Sequence, residues 1–150
     1  MNLNDTNPNA TGLEQLQTLL ASGSGSPIGQ TLKFRLVEIA EGHAVFEAEP
    51  GIHAYNPIGS VHGGFAATLL DSALGCAVHS RLKADQIHTT LELKVAYHRA
   101  ITVETGTIRA IGSVMTMGRR TAYAEGRIVD ANDRLLASAT STLLLMDRPS

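Results

Sequence analysis

The sequence has little of what would mark a secreted, membrane-bound or nucleic-acid-binding protein. It contains one cysteine, Cys76, which excludes a disulfide within the chain and fits a reducing compartment. Residues 1–12 lack the basic and apolar regions of a secretory signal, and no apolar run is long and uncharged enough to span a bilayer. A formal net charge of −2 gives no overall attraction to nucleic acid or anionic lipid. We therefore expect a soluble cytoplasmic protein that binds neither nucleic acid nor membrane.

Signatures of metal, nucleotide and serine-hydrolase chemistry are also missing. The 6 histidines form no His-Glu-x-x-His motif and no Cys/His ligand spacing, so we predict no metal site. The chain has no Walker sequence, no dinucleotide fingerprint and no Gly-x-Ser-x-Gly elbow. Cys76 lies in an apolar helical segment, which favours a small core residue over a nucleophile. No cofactor is predicted.

The length of 150 residues suits one domain preceded by a short extension. Residues 1–11 are polar and are expected to be disordered. Four leucines, beginning at Leu13, then recur at helical spacing, and a Gly/Ser connector ends at Pro27. We divide the chain into a flexible N-terminus with a short helix, residues 1–29, and a single domain, residues 30–150.

Alternating apolar and polar residues predict strands on both sides of one long helical segment. Two strands precede it, within residues 32–36 and 44–49, separated by a turn at Glu41-Gly42. Four follow it, near residues 91–97, 103–112, 120–129 and 135–146. In the strand at 91–97, Leu91 and Leu93 are expected to share one face, with Thr90 on the other. This order lacks βαβ alternation and predicts an α+β fold with an antiparallel sheet of about five to six strands.

The helical segment from Gly63 to Leu82 is the most informative part of the chain. Between Phe65 and Val78 its only charged residue is Asp71, and apolar residues cover more than half of its circumference. A helix so apolar must be buried, and this one is too short to cross a membrane. We therefore expect a central buried helix wrapped by the sheet.

Asp71 has small residues at the positions i−4, i−3 and i+4, namely Ala67, Thr68 and Gly75. Small neighbours leave a groove beside the carboxylate, and no lysine or arginine lies within one turn to offset the cost of burying a charge. Two interpretations remain open. Asp71 either accepts hydrogen bonds that fix the fold, or keeps its charge for chemistry.

The helix begins after Val61-His62-Gly63-Gly64. Unpaired N–H groups of a first helical turn, together with the helix dipole, suit an anion or a developing oxyanion. Glycine there also lets a ligand approach the backbone closely. The alternative is that Gly63 and Gly64 only permit a tight turn into the helix.

The run from Asn56 to Gly64 reads Asn-Pro-Ile-Gly-Ser-Val-His-Gly-Gly and is followed by Leu70-Asp71 and small residues. This pattern resembles the phenylacetic-acid-type (PaaI-like) hotdog thioesterases, which have an Asn, a Gly, a His-Gly-Gly and then an Asp on the central helix. The resemblance extends from about residue 30 to residue 146, because the strand order also matches. It implies a hotdog fold and hydrolysis of an acyl-CoA thioester to a free acid and CoA.

The resemblance also implies roles for individual residues. Asp71 would activate the hydrolytic water or attack the thioester carbonyl, and the Gly63 N–H would hold the carbonyl oxygen. Asn56 would position the carbonyl or water, while His62 and Gly64 would shape the same substrate-binding loop. A threonine on the next strand would assist the carboxylate; Thr90 matches that position, with Thr89 as an adjacent competitor. Arg119 and Arg120 would contact CoA phosphates, although a solvated turn is the alternative for this pair.

Two other functions share this architecture. A hydratase or dehydratase acting on acyl thioesters would pair His62 with Asp71, and a non-catalytic protein would bind acyl-CoA as a ligand. Unpaired sheet edges predict a homodimer, pairing further into a homotetramer. In the hotdog proteins that this chain resembles, two sheets join edge to edge, so the resemblance implies an active site between subunits. In that arrangement we expect Asp71 of one protomer near the Thr90 strand of the other.

Overall fold

The computed structural model describes residue 3 and residues 6–149. The disorder expected over residues 1–11 falls partly on residues 1, 2, 4 and 5, which lie outside the described residues. The helices are α1 (Gly12–Ser22), α2 (Pro27–Leu32) and α3 (Gly63–His79). The strands are β1 (Phe34–Ala40), β2 (His43–Ala48), β3 (Gln86–Tyr97), β4 (Ile108–Met117), β5 (Thr121–Val129) and β6 (Leu135–Asp147). Single 3-10 turns occur at Ile52–Ala54 and Val103–Thr105.

The predicted order of two strands, one helix and four strands is confirmed, with two local corrections. Leu32 ends α2 instead of beginning a strand, because the Ser26 side chain caps that helix and Pro27 starts it. The strand expected near residues 103–112 begins only at Ile108. Thr102 captures the N–H of Glu104 in a 3-10 turn, and Gly106 follows with a φ of 71°.

The six strands form one antiparallel sheet in the order β1-β2-β4-β5-β6-β3. Helix α3 packs on this sheet and contacts all six strands. Leu69, Leu70 and Leu74 of this helix have no exposed surface, which places α3 at the centre of the core. The prediction of a buried central helix wrapped by a sheet of about five to six strands is confirmed.

A glycine in the sheet lets α3 approach closely. An added Cβ on Gly112 of β4 would lie 2.5 Å from the backbone of Ala73, so no other residue fits there without moving the helix. Close approach lets Ala73 of α3 pack directly on the middle of the sheet.

Helix α1 covers the C-terminal end of α3. The N–H of Gly12 donates to the carbonyl of Leu82 at 3.0 Å, and Thr11 and Glu14 form a capping box at the start of α1. Gln15 and Leu16 are buried. Along the part of the chain that the structure describes, no helix is long and apolar enough to cross a membrane.

Candidate active site

Asp71 meets β3 through a hydrogen bond from Thr90, whose Oγ1 donates to Asp71 Oδ1 at 3.0 Å. Both side chains are half-buried, and Thr89 is exposed on the opposite side of the strand. The bond forms within one chain, whereas the predicted dimer would bring Asp71 near the Thr90 strand of another protomer. Among the described residues, no cation lies within ion-pair distance of Asp71.

A β-bulge explains how Thr90 reaches the helix. The register of β3 against β6 shifts between Thr90 and Glu92, so Leu91 has no paired residue and is 55% exposed. The expectation that Leu91 shares a face with Leu93 is therefore wrong. The bulge instead turns Thr90 inward, on the same side as the partly buried Leu93.

A cavity of about 740 Å³ opens beside Asp71. One wall is α3, where the small residues Ser72, Gly75 and Cys76 surround the carboxylate. Thr90 and His88 of β3 lie beside them, and residues of α1, of the connector 23–27 and of β1 form the opposite wall. The groove predicted from small neighbours is present at Gly75, and the N-terminal segment closes it.

At the start of α3, one backbone N–H group donates a hydrogen bond and another does not. His62 accepts the N–H of Gly64 at its Nδ1, at 2.8 Å, so this nitrogen carries no proton. Within the described ranges, the N–H of Gly63 has no partner. The hydroxyl of Tyr97 donates to the Gly63 carbonyl at 2.8 Å, and an added Cβ on Gly63 would lie 2.9 Å from that hydroxyl. The predicted donor Gly63 is thus free, while the N–H of Gly64 is occupied.

Asn56 organises the loop that leads to this helix. Its Oδ1 accepts from the N–H groups of Ile58 and Ser60 at 3.0 and 3.2 Å, and its Nδ2 donates to Ser60 Oγ at 3.1 Å. Such an Asx turn fixes the loop backbone. Asn56 therefore acts on the start of α3 through the loop conformation.

The predicted site residues fall into separate groups within one chain. Asp71 and Thr90 meet at the cavity. Gly63 lies eight residues before Asp71, which along an α-helix is about 12 Å. Asn56, His62 and Gly64 lie at that same far end. Arg119 and Arg120 are exposed in the hairpin between β4 and β5 and do not line the cavity.

Three cavity groups beyond Asp71 were not predicted to act. Burial, with Asp71 nearby, raises the pKa of Cys76 to about 12, which keeps its thiol protonated. Burial lowers the pKa of His79 to about 4, so this ring is neutral, and its Nε2 lies 2.8 Å from Gln15 Oε1. Burial also lowers the pKa of His88, against the opposing charge of Asp71. The one sequence signal for His88 was its position two residues before Thr90, on the same face of the strand.

Comparisons with known proteins agree with this architecture. A family model described as the thioesterase superfamily matches residues 58–137. The chain is 26% identical over 114 residues to the 1,4-dihydroxy-2-naphthoyl-CoA hydrolase of Listeria monocytogenes serotype 1/2a (strain 10403S), covering 76% of this chain and 91% of that protein.

Two solved structures extend the comparison. A variant of the phenylacetic acid degradation protein PaaI from Thermus thermophilus is similar with a TM-score of 0.72 and 27% identity, covering 79% of this chain and 98% of that one. A conserved protein of Pseudomonas aeruginosa is similar with a TM-score of 0.75 and 28% identity, covering 81% and 94% of the two chains.

Proposed function

We propose that this chain, which belongs to the thioesterase superfamily, hydrolyses an acyl-CoA thioester with Asp71 as its catalytic carboxylate. The hotdog fold, the resemblance to PaaI and the activity class of a thioester hydrolase are confirmed. The proposal adds the residues that act, the CoA carrier and the assembly.

The observation that carries the proposal is the state of the Asp71 carboxylate at the cavity. Thr90 holds Oδ1, no cation among the described residues neutralises the charge, and small residues leave the approach open. A carboxylate needed only for the fold is expected to have its charge compensated on all sides. Asp71 instead keeps one oxygen available for a proton or a carbonyl carbon.

The chemistry then depends on that free oxygen. As a general base, Asp71 takes a proton from a water molecule whose oxygen attacks the thioester carbonyl. The tetrahedral intermediate collapses, the carbon–sulfur bond breaks, and CoA leaves as a thiolate that accepts the proton. As a nucleophile, Asp71 would instead form an anhydride that water then hydrolyses. The Thr90 bond orients the carboxylate in both cases.

The oxyanion donor must come from a second protomer in this proposal. Since Gly63 lies about 12 Å along α3 from Asp71, the two cannot contact one carbonyl in the same chain. Strand β3 is a sheet edge of 12 residues with unpaired backbone groups, and such an edge suits pairing with a copy of itself. A homodimer, or a homotetramer of two dimers, would bring Gly63 of the partner subunit to the carboxylate.

The position of the basic hairpin supports a role in binding CoA. Thr121, directly after Arg119 and Arg120, lies opposite Leu144 of β6, which lies opposite Thr89 of β3. The hairpin therefore lies at the same end of the sheet as Asp71 and Thr90, and two strand spacings, about 10 Å, separate it from β3. Phosphates of a CoA whose thioester lies at Asp71 would be within reach of these arginines.

The cytoplasmic location stays a prediction.

The test is release of free CoA from a panel of aryl, aryl-acetyl and straight-chain acyl-CoA thioesters. Asp71→Asn is nearly isosteric and should lower kcat by at least about 10³-fold with the thermal midpoint little changed, because the amide cannot take a proton. Asp133→Asn, in the exposed turn between β5 and β6, is the matched control and should be unaffected.

Other outcomes separate the alternatives. Wild-type turnover in Asp71→Asn would end the assignment of this residue. Hydration of an unsaturated acyl-CoA without CoA release would favour the hydratase, and saturable binding without any turnover would favour a ligand-binding protein.

A further inference from the structure

Beyond Asp71, toward the C-terminal end of α3, the cavity is lined by two histidines, the buried His79 and the half-buried His88. The rings of His79 and His88 meet edge to face, with centroids 5.5 Å apart. His79 is held from the other side, because its Nε2 lies 2.8 Å from the amide oxygen of Gln15 on α1. That oxygen can only accept, so His79 donates through Nε2 and has its hydrogen bond filled. His79 thereby packs against the ring of His88 from one side.

His88 has no hydrogen bond of its own among the described residues. Its Nδ1 is buried without a partner. A buried N–H with no acceptor costs more than a buried lone pair, so the neutral ring carries its proton on Nε2. Since His88 lines the cavity, Nε2 is the nitrogen that can meet a ligand. The ring thus offers one N–H donor to whatever occupies the cavity.

The position of this donor relative to Asp71 follows from one contact and the spacing of residues along α3. Gly75 lies one turn after Asp71 on α3, about 6 Å along the axis. An added Cβ on Gly75 would lie 3.5 Å from Cε1 of His88, so the imidazole sits directly against that next turn. A group bound with its thioester at Asp71 would therefore reach His88 about one helical turn further in.

We propose that His88 is a specificity-determining residue that selects acyl groups bearing a hydroxyl or oxo oxygen at that distance from the thioester carbonyl. This inference rests on the proposed function. The body of the acyl group would lie against the apolar wall of α1, at Leu16, Leu19 and Leu20. A cavity of about 740 Å³ is large enough for an aromatic acyl group.

A neutral donor also decides which oxygen is selected. Burial lowers the pKa of His88, and the neighbouring His79 is neutral as well, so this end of the cavity offers no positive charge from the histidines. A hydroxyl or carbonyl oxygen fits such a donor, because it accepts a hydrogen bond without bringing a charge into the half-buried site. Selection between otherwise identical acyl groups should then depend on one hydrogen bond.

The experiment compares two substrates that differ by one oxygen, phenylacetyl-CoA and 4-hydroxyphenylacetyl-CoA, with benzoyl-CoA and 4-hydroxybenzoyl-CoA as a shorter pair. Wild type should prefer the hydroxylated member of at least one pair by about ten- to a hundredfold in kcat/KM. His88→Phe should lower kcat/KM more for the hydroxylated member than for the unsubstituted one, so that the preference is lost. His88→Gln, whose amide nitrogen can occupy the place of Nε2, should retain part of the preference.

The controls separate recognition from other roles of His88. His98→Phe replaces an exposed histidine just beyond the same strand and should change neither substrate. An equal loss for both members of a pair in His88→Phe would assign His88 to Asp71 chemistry and overturn the inference. Equal rates for both members in wild type would overturn it while leaving thioester hydrolysis intact. If no acyl-CoA is hydrolysed, the proposed function itself fails. Should His88→Phe not fold, the wild-type preference and His88→Gln decide.

Discussion

Acidification should destabilise this protein well above the pH at which carboxylates titrate, because of His79. Burial, reinforced by His88 and Arg148, lowers the pKa of this histidine from 6.5 to about 4 in the folded chain. As the pH falls, His79 therefore binds a proton in the unfolded state while it stays neutral in the folded state. The stabilisation is complete above about pH 6.5 and is lost progressively toward about pH 4. At roughly 1.4 kcal/mol per unit, the free energy of unfolding should drop by about 2 kcal/mol between pH 7 and pH 5.

Urea unfolding at fixed ionic strength, in steps from about pH 7 to pH 5, measures this slope. His79→Gln is the matched variant, because an amide nitrogen can still donate to Gln15 but does not titrate. It should flatten most of the slope, leaving the smaller contribution of His88, whose pKa burial also lowers. Glu14 and Asp130 have lowered pKa values, so their contributions to the free energy of unfolding are lost only at lower pH. They therefore do not affect the slope between about pH 7 and pH 5. Identical slopes in wild type and His79→Gln would refute this reasoning.

The other predictions concern the site and the assembly. Thr90→Val removes the hydrogen-bond donor to Asp71 without changing the side-chain shape, and it should lower kcat about 10- to 100-fold, less than Asp71→Asn does. Thr89→Val, at the exposed neighbouring residue, should have no effect. Equal effects of the two substitutions would contradict the role of Thr90 beside Asp71. Asn56→Ala removes the Asx turn and should likewise fall between wild type and Asp71→Asn in kcat/KM. Light scattering at micromolar concentration should give at least twice the chain mass of 15.9 kDa, and a clean, active monomer would rule out the shared site.

The central helix and the strand order were predictable because they depend on local patterns. An apolar segment with a single charge must be buried, and a chain of this size has one core in which to bury it. Alternation of apolar and polar residues located most strands to within a few residues. In strand β3, however, the local pattern did not predict on which face Thr90 lies. Strict alternation placed Thr90 on the face opposite Leu93, while the resemblance required it beside Asp71. The bulge at Leu91 reconciles the two, and no residue in that strand signals it.

The inner end of the cavity was unpredictable for a different reason. Gln15 and His79 are 64 residues apart in the chain and meet only when α1 docks on the end of α3. Each residue alone is unremarkable in sequence, since polar residues on an amphipathic helix and a histidine near a helix end are ordinary features. Their contact, and with it the packing of His79 against His88, depends on the fit of Gly12 against the α3 backbone, where an added Cβ would lie 1.8 Å from the His79 carbonyl oxygen. Long-range contacts of this kind have no periodic signature.

The eight-residue spacing between Gly63 and Asp71 links the helix to the assembly. Were these two residues at opposite ends of a flexible loop, one chain could fold them onto the same carbonyl. On a rigid helix they stay about 12 Å apart, whatever the rest of the chain does. In the proposed mechanism, the N–H of Gly63 and the carboxylate of Asp71 would each be half of a site, completed by the other half on a neighbouring chain. A two-fold axis along the β3 edge places both halves twice, so a dimer of this chain would hold two equivalent sites.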